Sequence, residues 1–290
     1  MADQAETLRH LRFSRDITAL DPRTGRSIAV TGGKGGVGKS QIAVSLAATY
    51  SRRGSKVLIF DADLGMADLN LLLGVAPDRT MLDVLDGLDV TEALVDAHGF
   101  SLLPALNGSI DLEALDDVGR ARLLESLASL SARFDTLVID IGAGIGANQN
   151  GFAGAAGDVI VVASPEALSM ADAYACLKAL VQTQGVEHAY LLPNRTKSRS
   201  DADEIIGRLS ALVTRFLDIE LTPLTPIPYD PNIPEAAEHG VPFVLYSPDS
   251  PASRAMRQLA RQLDAAGAAR RDKKPARSIL AKLFDRGPTE

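Results

Sequence analysis

The sequence predicts an α/β fold, a doubly wound and mostly parallel sheet flanked by helices in a single domain. Three observations support this prediction. Short β-branched and apolar runs alternate with stretches of helical periodicity along most of the chain. A glycine-rich segment joins the first predicted strand to the first predicted helix, and acidic residues end two of the strands. A repeated order of strand, crossover helix and strand makes the strands parallel, with helices on both faces of the sheet.

Six short apolar segments are predicted to form buried strands: residues 27–31, 56–60, 136–140, 159–163, 189–193 and 221–227. Five segments have helical periodicity: residues 40–53, 117–133, 169–183, 201–216 and 252–265. Ser250 and Pro251 favour the start of the last helix, because Ser is a good N-cap and Pro fits a first turn. The chain therefore divides into an N-terminal tail (1–25), a core domain (26–266) and a basic C-terminal segment (267–290) that begins as a linker.

Composition limits the class of protein. The chain of 290 residues is 46% hydrophobic and 23% charged, which is typical of a globular protein with a sizeable core. Its one cysteine, Cys176, cannot form an intrachain disulfide, and the sequence does not begin with a signal-peptide pattern, so we expect a cytoplasmic protein. The longest apolar run, residues 152–163, is interrupted by Asp158, so no membrane-spanning helix is expected.

Charge is distributed unevenly along the chain. The net charge of −7 argues against general nucleic-acid binding across the surface. Residues 266–290 nevertheless hold seven basic and three acidic side chains, a formal charge of +4 that leaves −11 for the rest. A basic tail on an acidic body indicates a separate electrostatic task, because anions are attracted only where cations cluster.

Within this tail, residues 277–286 predict a short amphipathic helix. Its apolar residues recur at helical spacing and are Ile279, Leu280, Leu283 and Phe284. Basic and apolar side chains combined in this way are typical of a helix that lies on an anionic membrane surface. The alternatives are a solvated charged tail and a helix docked on the core of the same chain.

The segment after the first strand has the phosphate-loop pattern of Gly, four residues, Gly, Lys and Ser. Its residues are Gly32, Gly33, Lys34, Gly35, Gly36, Val37, Gly38, Lys39 and Ser40. Closely spaced glycines let backbone N–H groups point at a phosphate, while Lys39 suits the β- and γ-phosphates and Ser40 suits Mg²⁺. The pattern predicts an ATP and Mg²⁺ site.

Two other interpretations of this loop remain. One is a glycine-rich turn without a ligand. The other is a dinucleotide site, because three of the glycines also fit the pattern G-x-G-x-x-G and Asp61 ends the next strand. Lys39 and Ser40 argue against the dinucleotide site, since such cofactors need no lysine at their phosphates.

Acidic residues follow two predicted strands, at the edge of the sheet where α/β proteins bind ligands. Asp61 and Asp63 come after the second strand, and Asp140 ends a central strand. Asp140 is suited to hold the metal ion, and Asp63 is suited to position the attacking water. Asp61 could support either the metal ion or the water through hydrogen bonds. Each acid alone also fits a helix N-cap or a turn.

Lys34 is unusual, because an ordinary phosphate loop needs no lysine at this point. The string from Lys34 to Ser40 resembles the deviant Walker A motif of the MinD/ParA family of P-loop ATPases. The resemblance implies that ATP joins two subunits face to face and that Lys34 reaches the nucleotide of the partner subunit. It therefore implies that Lys34 is a catalytic residue together with Lys39 and Asp63. It also implies that Asn194 and Arg195 contact the adenine, and that Asp230 lies in a second base-contacting loop. Ile141 departs from the family pattern, in which Thr or Ser often follows the strand-end acid.

In detail the chain is similar to the FlhG-like subfamily, which controls flagellar number and placement. The resemblance lies in residues 3–9, 61–65, 72–74, 142–145 and 250–254. It implies that the N-terminal tail stimulates a signal-recognition-type GTPase, FlhF, with Gln4 and Arg9 as polar contacts, although a capped, frayed helix is the plain alternative. Other family members, which position the division site or segregate DNA and cargo, remain an alternative. Iron–sulfur and metal-carrying relatives are excluded because they need more cysteines than one.

Overall fold

The structure is a computed structural model that describes residues 26–63, 69–104, 129–130, 133–144 and 146–271. Several predicted features lie outside these ranges: the N-terminal tail with Gln4 and Arg9, Leu64 and Gly65, Ile145, most of the helix predicted at 117–133, and the amphipathic helix with Ile279, Leu280, Leu283 and Phe284.

Nine strands form one sheet in the described part of the chain. They are β1 (Arg26–Thr31), β2 (Val57–Asp61), β3 (Val95–Ala97), β4 (Phe100–Leu103), β5 (Thr136–Asp140), β6 (Asp158–Ala163), β7 (His188–Thr196), β8 (Glu220–Pro223) and β9 (Ile227–Pro228). Their spatial order is β3-β4-β2-β5-β1-β6-β7-β8, and β9 extends the pairing of β7. Only β3 and β4 pair antiparallel among these strands, so the predicted mostly parallel sheet is confirmed.

Nine α-helices are present within the described ranges. They are α1 (Lys39–Ser51), α2 (Leu69–Leu72), α3 (Met81–Leu85), α4 (Ala147–Ala155), α5 (Ala167–Gln184), α6 (Arg199–Phe216), α7 (Asn232–Glu238), α8 (Phe243–Tyr246) and α9 (Pro251–Arg271), and a 3₁₀ turn spans Val90–Ala93. None of them combines the length and apolar composition needed to cross a bilayer. The predicted N-cap of α9 is present, because the Ser250 hydroxyl accepts a hydrogen bond from Ser253 N at 3.2 Å.

The helices cover both faces of the sheet, as doubly wound folds require. Along β1 the side chains alternate: Ile28 and Val30 pack with α1, α2, α7, α8 and α9 in one apolar layer, while Ala29 belongs to the layer of α3, α4, α5 and α6. Because β1 lies between β5 and β6 near the centre of the sheet, both its faces are buried. The loop that follows β1 is thus carried by a central strand whose last four residues are buried.

The structure corrects two of the sequence-based assignments. The single strand expected at 221–227 is divided into β8 and β9, because Pro223 and Pro226 have no N–H to donate to a ladder. The last helix runs through Gly267 to Arg271, so the first residues of the expected linker are helical. The β3–β4 hairpin and the short helices α2, α3, α4, α7 and α8 were not among the predicted elements.

A buried arginine joins the first strand to the last helix. The Arg26 guanidinium donates to Asp158 Oδ2 and to Asp264 Oδ1, each at 2.8 Å, and to the Tyr50 hydroxyl at 2.9 Å. Its side chain is 10% exposed. Each acceptor belongs to a different element, β6, α9 or α1, so one side chain fixes the start of β1 against three neighbours. Breaking a buried ion pair such as that of Arg26 with Asp158 costs about 3–5 kcal/mol.

Candidate functional site

The phosphate-loop residues form a tight turn between β1 and α1. Gly36 and Gly38 have φ of 75° and 95°, which L side chains adopt only with strain. Gly38 is also the N-cap of α1, and no side chain caps the helix there, so its first N–H groups face the loop. A helix N-terminus of this kind binds anions, because free N–H groups and the helix dipole point at the ligand.

Packing requires glycine at two of the loop positions, Gly33 and Gly38, and Gly38 also has a positive φ. A Cβ on Gly33 would collide with the backbone carbonyl of Asp172 in α5. A Cβ on Gly38 would lie 2.5 Å from Asn194 Nδ2 at the end of β7. The loop therefore lies directly against both elements, and neither contact could be inferred from the spacing of the motif.

Lys39 is buried at the start of α1, with 7% of its surface exposed. Its Nζ donates to the Lys34 carbonyl at 3.3 Å, within the loop itself. Burial lowers the pKa of Lys39, and the nearby carboxylates of Asp140 and Asp63 oppose that effect. The structure thus brings together the predicted phosphate-binding lysine and two of the predicted acids.

Lys34 lies further out and pairs within its own chain. Its Nζ is 2.9 Å from Glu166 Oε2, and the two side chains are 35% and 61% exposed. The Lys34 ammonium lowers the pKa of Glu166 through this hydrogen bond. An exposed ion pair contributes about 0–1 kcal/mol, so it restrains Lys34 only weakly. Glu166, just before α5, had no role in the sequence analysis, because the contact spans 132 residues of chain.

The three acids meet at the ends of neighbouring strands. Asp61 and Asp140 are register partners in β2 and β5. The Asp61 carboxylate accepts from Asp63 N at 3.0 Å and from Leu69 N at 3.4 Å, so it ties the start of the acid loop to α2. Asp63 lies against Gly142, where a Cβ would be 2.7 Å from its carboxyl carbon. Gly142 therefore makes room for Asp63, a requirement that sequence analysis did not identify.

Asp140 is buried, like Asp61. Burial raises its pKa to about 7, the Ser40 hydroxyl opposes the shift by donating to the carboxylate, and the charge of Asp61 adds to it. In the described part of the chain its Oδ1 has no hydrogen-bond partner. A buried carboxylate oxygen without a partner costs free energy unless something binds it.

A hydroxyl and a carboxylate oxygen are hard ligands of the type that Mg²⁺ takes, usually with phosphate oxygens and waters completing the shell. Ser40 and Asp140 therefore fit the predicted metal site. Asp61 fits a supporting part better than direct ligation, because its two oxygens already accept backbone hydrogen bonds.

The side chains of two predicted base-contacting residues, Asn194 and Asp230, form hydrogen bonds with the backbone of the same chain. Asn194 is buried, donates from Nδ2 to Val37 O at 2.7 Å and accepts from Arg195 N at 2.9 Å. Arg195 occupies a bulge of β7 with φ of 58°, and its exposed side chain is directed by that bulge. The Asp230 carboxylate accepts from Asn232 N at 3.0 Å and from Ala252 N at 3.2 Å. Asn194 thus supports the phosphate loop and Asp230 caps helices, and their part in base binding stays a prediction.

Comparison with known proteins agrees with this geometry. Residues 28–243 match the family model described as the CobQ/CobB/MinD/ParA nucleotide binding domain. Over 239 residues the chain is 35% identical to the antiactivator FleN of Pseudomonas aeruginosa, covering 82% of this chain and 85% of that protein. It is 33% identical to the flagellum site-determining protein YlxH of Helicobacter pylori, covering 72% of each chain.

Among solved structures, the chain resembles the septum site-determining protein MinD of Pyrococcus horikoshii in complex with Mg-ADP. The TM-score is 0.65 at 26% identity, and the match covers 84% of this chain and 98% of that one. The family match spans the phosphate loop, all three acids and Asn194. The chain therefore belongs to the CobQ/CobB/MinD/ParA family of nucleotide-binding domains, and the fold and family that the sequence predicted are confirmed.

Proposed function

We propose that this protein is an ATP-dependent dimerisation switch that controls flagellar number and placement at the cytoplasmic face of the cell membrane. The observation that carries the proposal is the convergence of Lys39, Ser40, Asp140 and Asp63 at the ends of β1, β2 and β5. A buried cation, a metal-ligand pair and a further acid are the parts that phosphoryl transfer requires. The flagellar role is supported by similarity to YlxH, whose name describes it as a flagellum site-determining protein, and by similarity to the antiactivator FleN.

The phosphate side of the site offers groups for a nucleotide and for its metal ion. The N–H groups at the start of α1 and the Lys39 ammonium would hold the β- and γ-phosphates, while Ser40 and Asp140 would hold Mg²⁺. A bound Mg²⁺ would supply positive charge to the phosphate oxygens. Asp140, whose ionised form burial disfavours, would be ionised as a ligand of that cation.

Asp63 positions the attacking water. It lies close enough to Lys39 to affect the pKa of the lysine, and Gly142 leaves it room to turn. Asp61 fixes the backbone of Asp63 through the hydrogen bond from Asp63 N. Positioning without a strong base gives slow hydrolysis, which suits a switch whose ATP-bound state has to persist.

Dimerisation requires Lys34 to exchange partners. In this structure it pairs with Glu166 of its own chain, and in the ATP-bound dimer it would bind the phosphates of the partner subunit. Because the pair with Glu166 is exposed, the exchange costs little. A phosphate with several negative charges is the stronger partner for an ammonium group.

The tails supply the remaining functions of the proposal. The apolar face of Ile279, Leu280, Leu283 and Phe284 binds membrane weakly on one subunit and more strongly when two subunits act together, since the second attachment is intramolecular. The segment with Gln4 and Arg9 contacts a GTPase partner such as FlhF. A positioning role at the division site or in DNA and cargo segregation is the alternative, supported by similarity to MinD proteins.

Two variants test the switch. Lys39→Ala should reduce the affinity for a fluorescent ATP analogue by about 10- to 150-fold, because it removes charge-assisted contacts worth about 1.5–3 kcal/mol. Lys178→Ala, at an exposed position of α5, is the matched control and should bind normally. Asp63→Ala should bind ATP yet hydrolyse it slowly, and sedimentation should show a persistent dimer. Unchanged affinity of Lys39→Ala, or a monomeric Asp63→Ala with ATP, would contradict the proposal.

A further inference from the structure

His98 occupies a turn for which histidine is not the preferred residue. It lies between β3 and β4 with φ of 55° and is followed by Gly99 with φ of 90°. Two residues with these angles form a type I′ hairpin turn, in which Asn followed by Gly is favoured. The left-handed conformation is open to histidine as well as to asparagine, so the turn accepts either residue. The turn alone therefore does not require a histidine here.

The imidazole connects two separate loops. Its Nε2 lies 3.0 Å from the Leu73 carbonyl oxygen and 2.9 Å from the Gly240 carbonyl oxygen. Both neighbours are acceptors, so Nε2 carries the hydrogen and donates to the two carbonyls at once. The bond to Gly240 spans 142 residues of chain, and that to Leu73 spans 25.

The two loops also touch each other directly. Gly74 and Gly240 have φ of 63° and 64°, and a Cβ on Gly240 would lie 2.6 Å from Gly74 Cα. Leu73 is fully buried beneath this contact. The close approach of two backbones and the shared hydrogen-bond donor make one junction, which we call the His98 junction, of His98, Leu73, Gly74 and Gly240.

One arm of the junction leads to the acids. Leu73 N donates to Leu69 O at 3.0 Å, which continues the turn of α2. Leu69 N donates in turn to Asp61 Oδ2, and Asp61 Oδ1 accepts from Asp63 N. The short helix α2 is therefore anchored at its start by Asp61 and at its end by His98.

The other arm leads to the loop proposed to contact the base. Gly240 N donates to Ala237 O at 3.0 Å at the end of α7. The start of α7 is fixed by Asp230, which accepts from Asn232 N. The helices α2 and α7 contact each other, so the junction joins two helices that each begin at one side of the candidate site.

We propose that His98 is a positioning residue of the ATPase, which couples the base-contacting loop to the acid loop of Asp61 and Asp63 through the ends of α7 and α2. The inference rests on the proposed function. Nucleotide that orders the start of α7 also orders α2, because the Nε2–H of His98 holds the two helix ends together.

The variants separate the bridge from the turn. His98→Asn gives the turn its preferred residue, but the amide is too short to reach the two carbonyls. His98→Gln places an amide nitrogen as many bonds from Cα as Nε2 and should restore the bridge. His239→Ala is the control, because His239 neighbours Gly240 but its imidazole contacts Glu235 O through Nδ1 and the ring of Tyr246, rather than the residues of the His98 junction.

Hydrogen exchange read by mass spectrometry tests the bridge without nucleotide. Peptides covering residues 69–75 should exchange about fivefold faster in His98→Asn than in the wild type, as expected for the loss of one hydrogen bond of average strength. His98→Gln and His239→Ala should match the wild type. Peptides from α6 serve as the reference for global unfolding. Equal exchange of residues 69–75 in His98→Asn and the wild type would overturn the proposal.

Addition of Mg²⁺ and ADP tests the coupling. Protection should extend from the phosphate loop to residues 69–75 in the wild type and His98→Gln, but remain at the phosphate loop and α7 in His98→Asn. The turnover number of His98→Asn should fall about threefold with little change in KM. Equal protection of residues 69–75 in all variants refutes the coupling. No protection of the phosphate loop in the wild type refutes nucleotide binding instead, and the nucleotide-free exchange still decides whether the bridge exists.

Discussion

Asp140→Asn should make the metal-free protein more stable at alkaline pH while removing its ability to bind Mg²⁺. Burial raises the pKa of Asp140 from 3.8 to about 7, so the folded state binds this proton more tightly than the unfolded state. The stability associated with the protonated acid is present at low pH and is lost as the pH rises from about 4 to about 7. A difference of about three pKa units corresponds to about 4 kcal/mol in total.

The measurable part of this effect is smaller. The sequence pI is about 5.2, so unfolding is best followed between pH 6 and pH 8.5, where solubility is higher. Between pH 6 and pH 8.5 the linkage relation gives a change of about 1.4 kcal/mol in the free energy of unfolding. The wild type should therefore lose about 1.4 kcal/mol of stability relative to Asp140→Asn over this interval. The asparagine keeps an oxygen for the Ser40 hydroxyl but carries no charge to bury.

Urea unfolding followed by far-ultraviolet circular dichroism is the suitable assay, since the chain has no tryptophan. Both proteins are unfolded in EDTA, with Asp78→Asn, at an exposed position, as control. The two stabilities should diverge with rising pH, and Mg²⁺ with ADP, added in excess of the EDTA, should stabilise the wild type and Asp78→Asn but not Asp140→Asn. A difference that is the same at pH 6 and pH 8.5 would show that Asp140 does not titrate near neutrality, and the argument from burial would be wrong.

Three further predictions concern the loop and the tail. Lys34→Ala should bind ATP but stay monomeric in sedimentation, because it lacks the ammonium group that would bind the phosphates of the partner subunit. A variant that dimerises normally would show that Lys34 has no part in dimerisation and only pairs with Glu166. Gly33→Ala should lower the free energy of unfolding by about 1–3 kcal/mol, because its Cβ collides with α5. The Cβ of Gly36→Ala meets no atom within 4 Å, so this variant should lose only about 1 kcal/mol, from its positive φ. Equal losses of the two variants in urea unfolding would contradict the packing argument. Ile279→Glu/Phe284→Glu should abolish ATP-dependent, salt-sensitive pelleting with anionic liposomes, and undiminished pelleting would show that the tail is not the membrane anchor.

The parts of the fold that sequence could predict are those with long, strongly patterned segments. The strand at Thr136–Asp140 matches its predicted bounds, and β1 and β6 each begin one residue earlier than predicted. The β3–β4 hairpin was missed because its strands are three and four residues long and its turn has histidine where asparagine is the usual signal. Helices of four or five residues, such as α2 and α3, are too short for periodicity to be recognised.

In the candidate site, too, some residues could be predicted from the sequence and others could not. Lys39, Ser40 and the three acids were identified because a local motif and strand ends specify them. Glu166, Gly142 and the engagement of Asn194 with Val37 were not, because each depends on contacts between residues far apart in the chain. Spacing within a motif predicts which chemistry is present, whereas through-space contacts decide what each side chain does before a ligand arrives.

The position of Arg26 determines where the two terminal segments join the core. Arg26 begins β1 at the edge of the sheet away from the phosphate loop, and a Cβ on Gly267 of α9 would lie 3.4 Å from its guanidinium nitrogen. The segments before residue 26 and after residue 271 are thus attached at neighbouring points, about 20 Å of strand from the phosphate loop. In the proposed switch, the segments that bind membrane and partner would therefore join the core at the end of β1 opposite the phosphate loop.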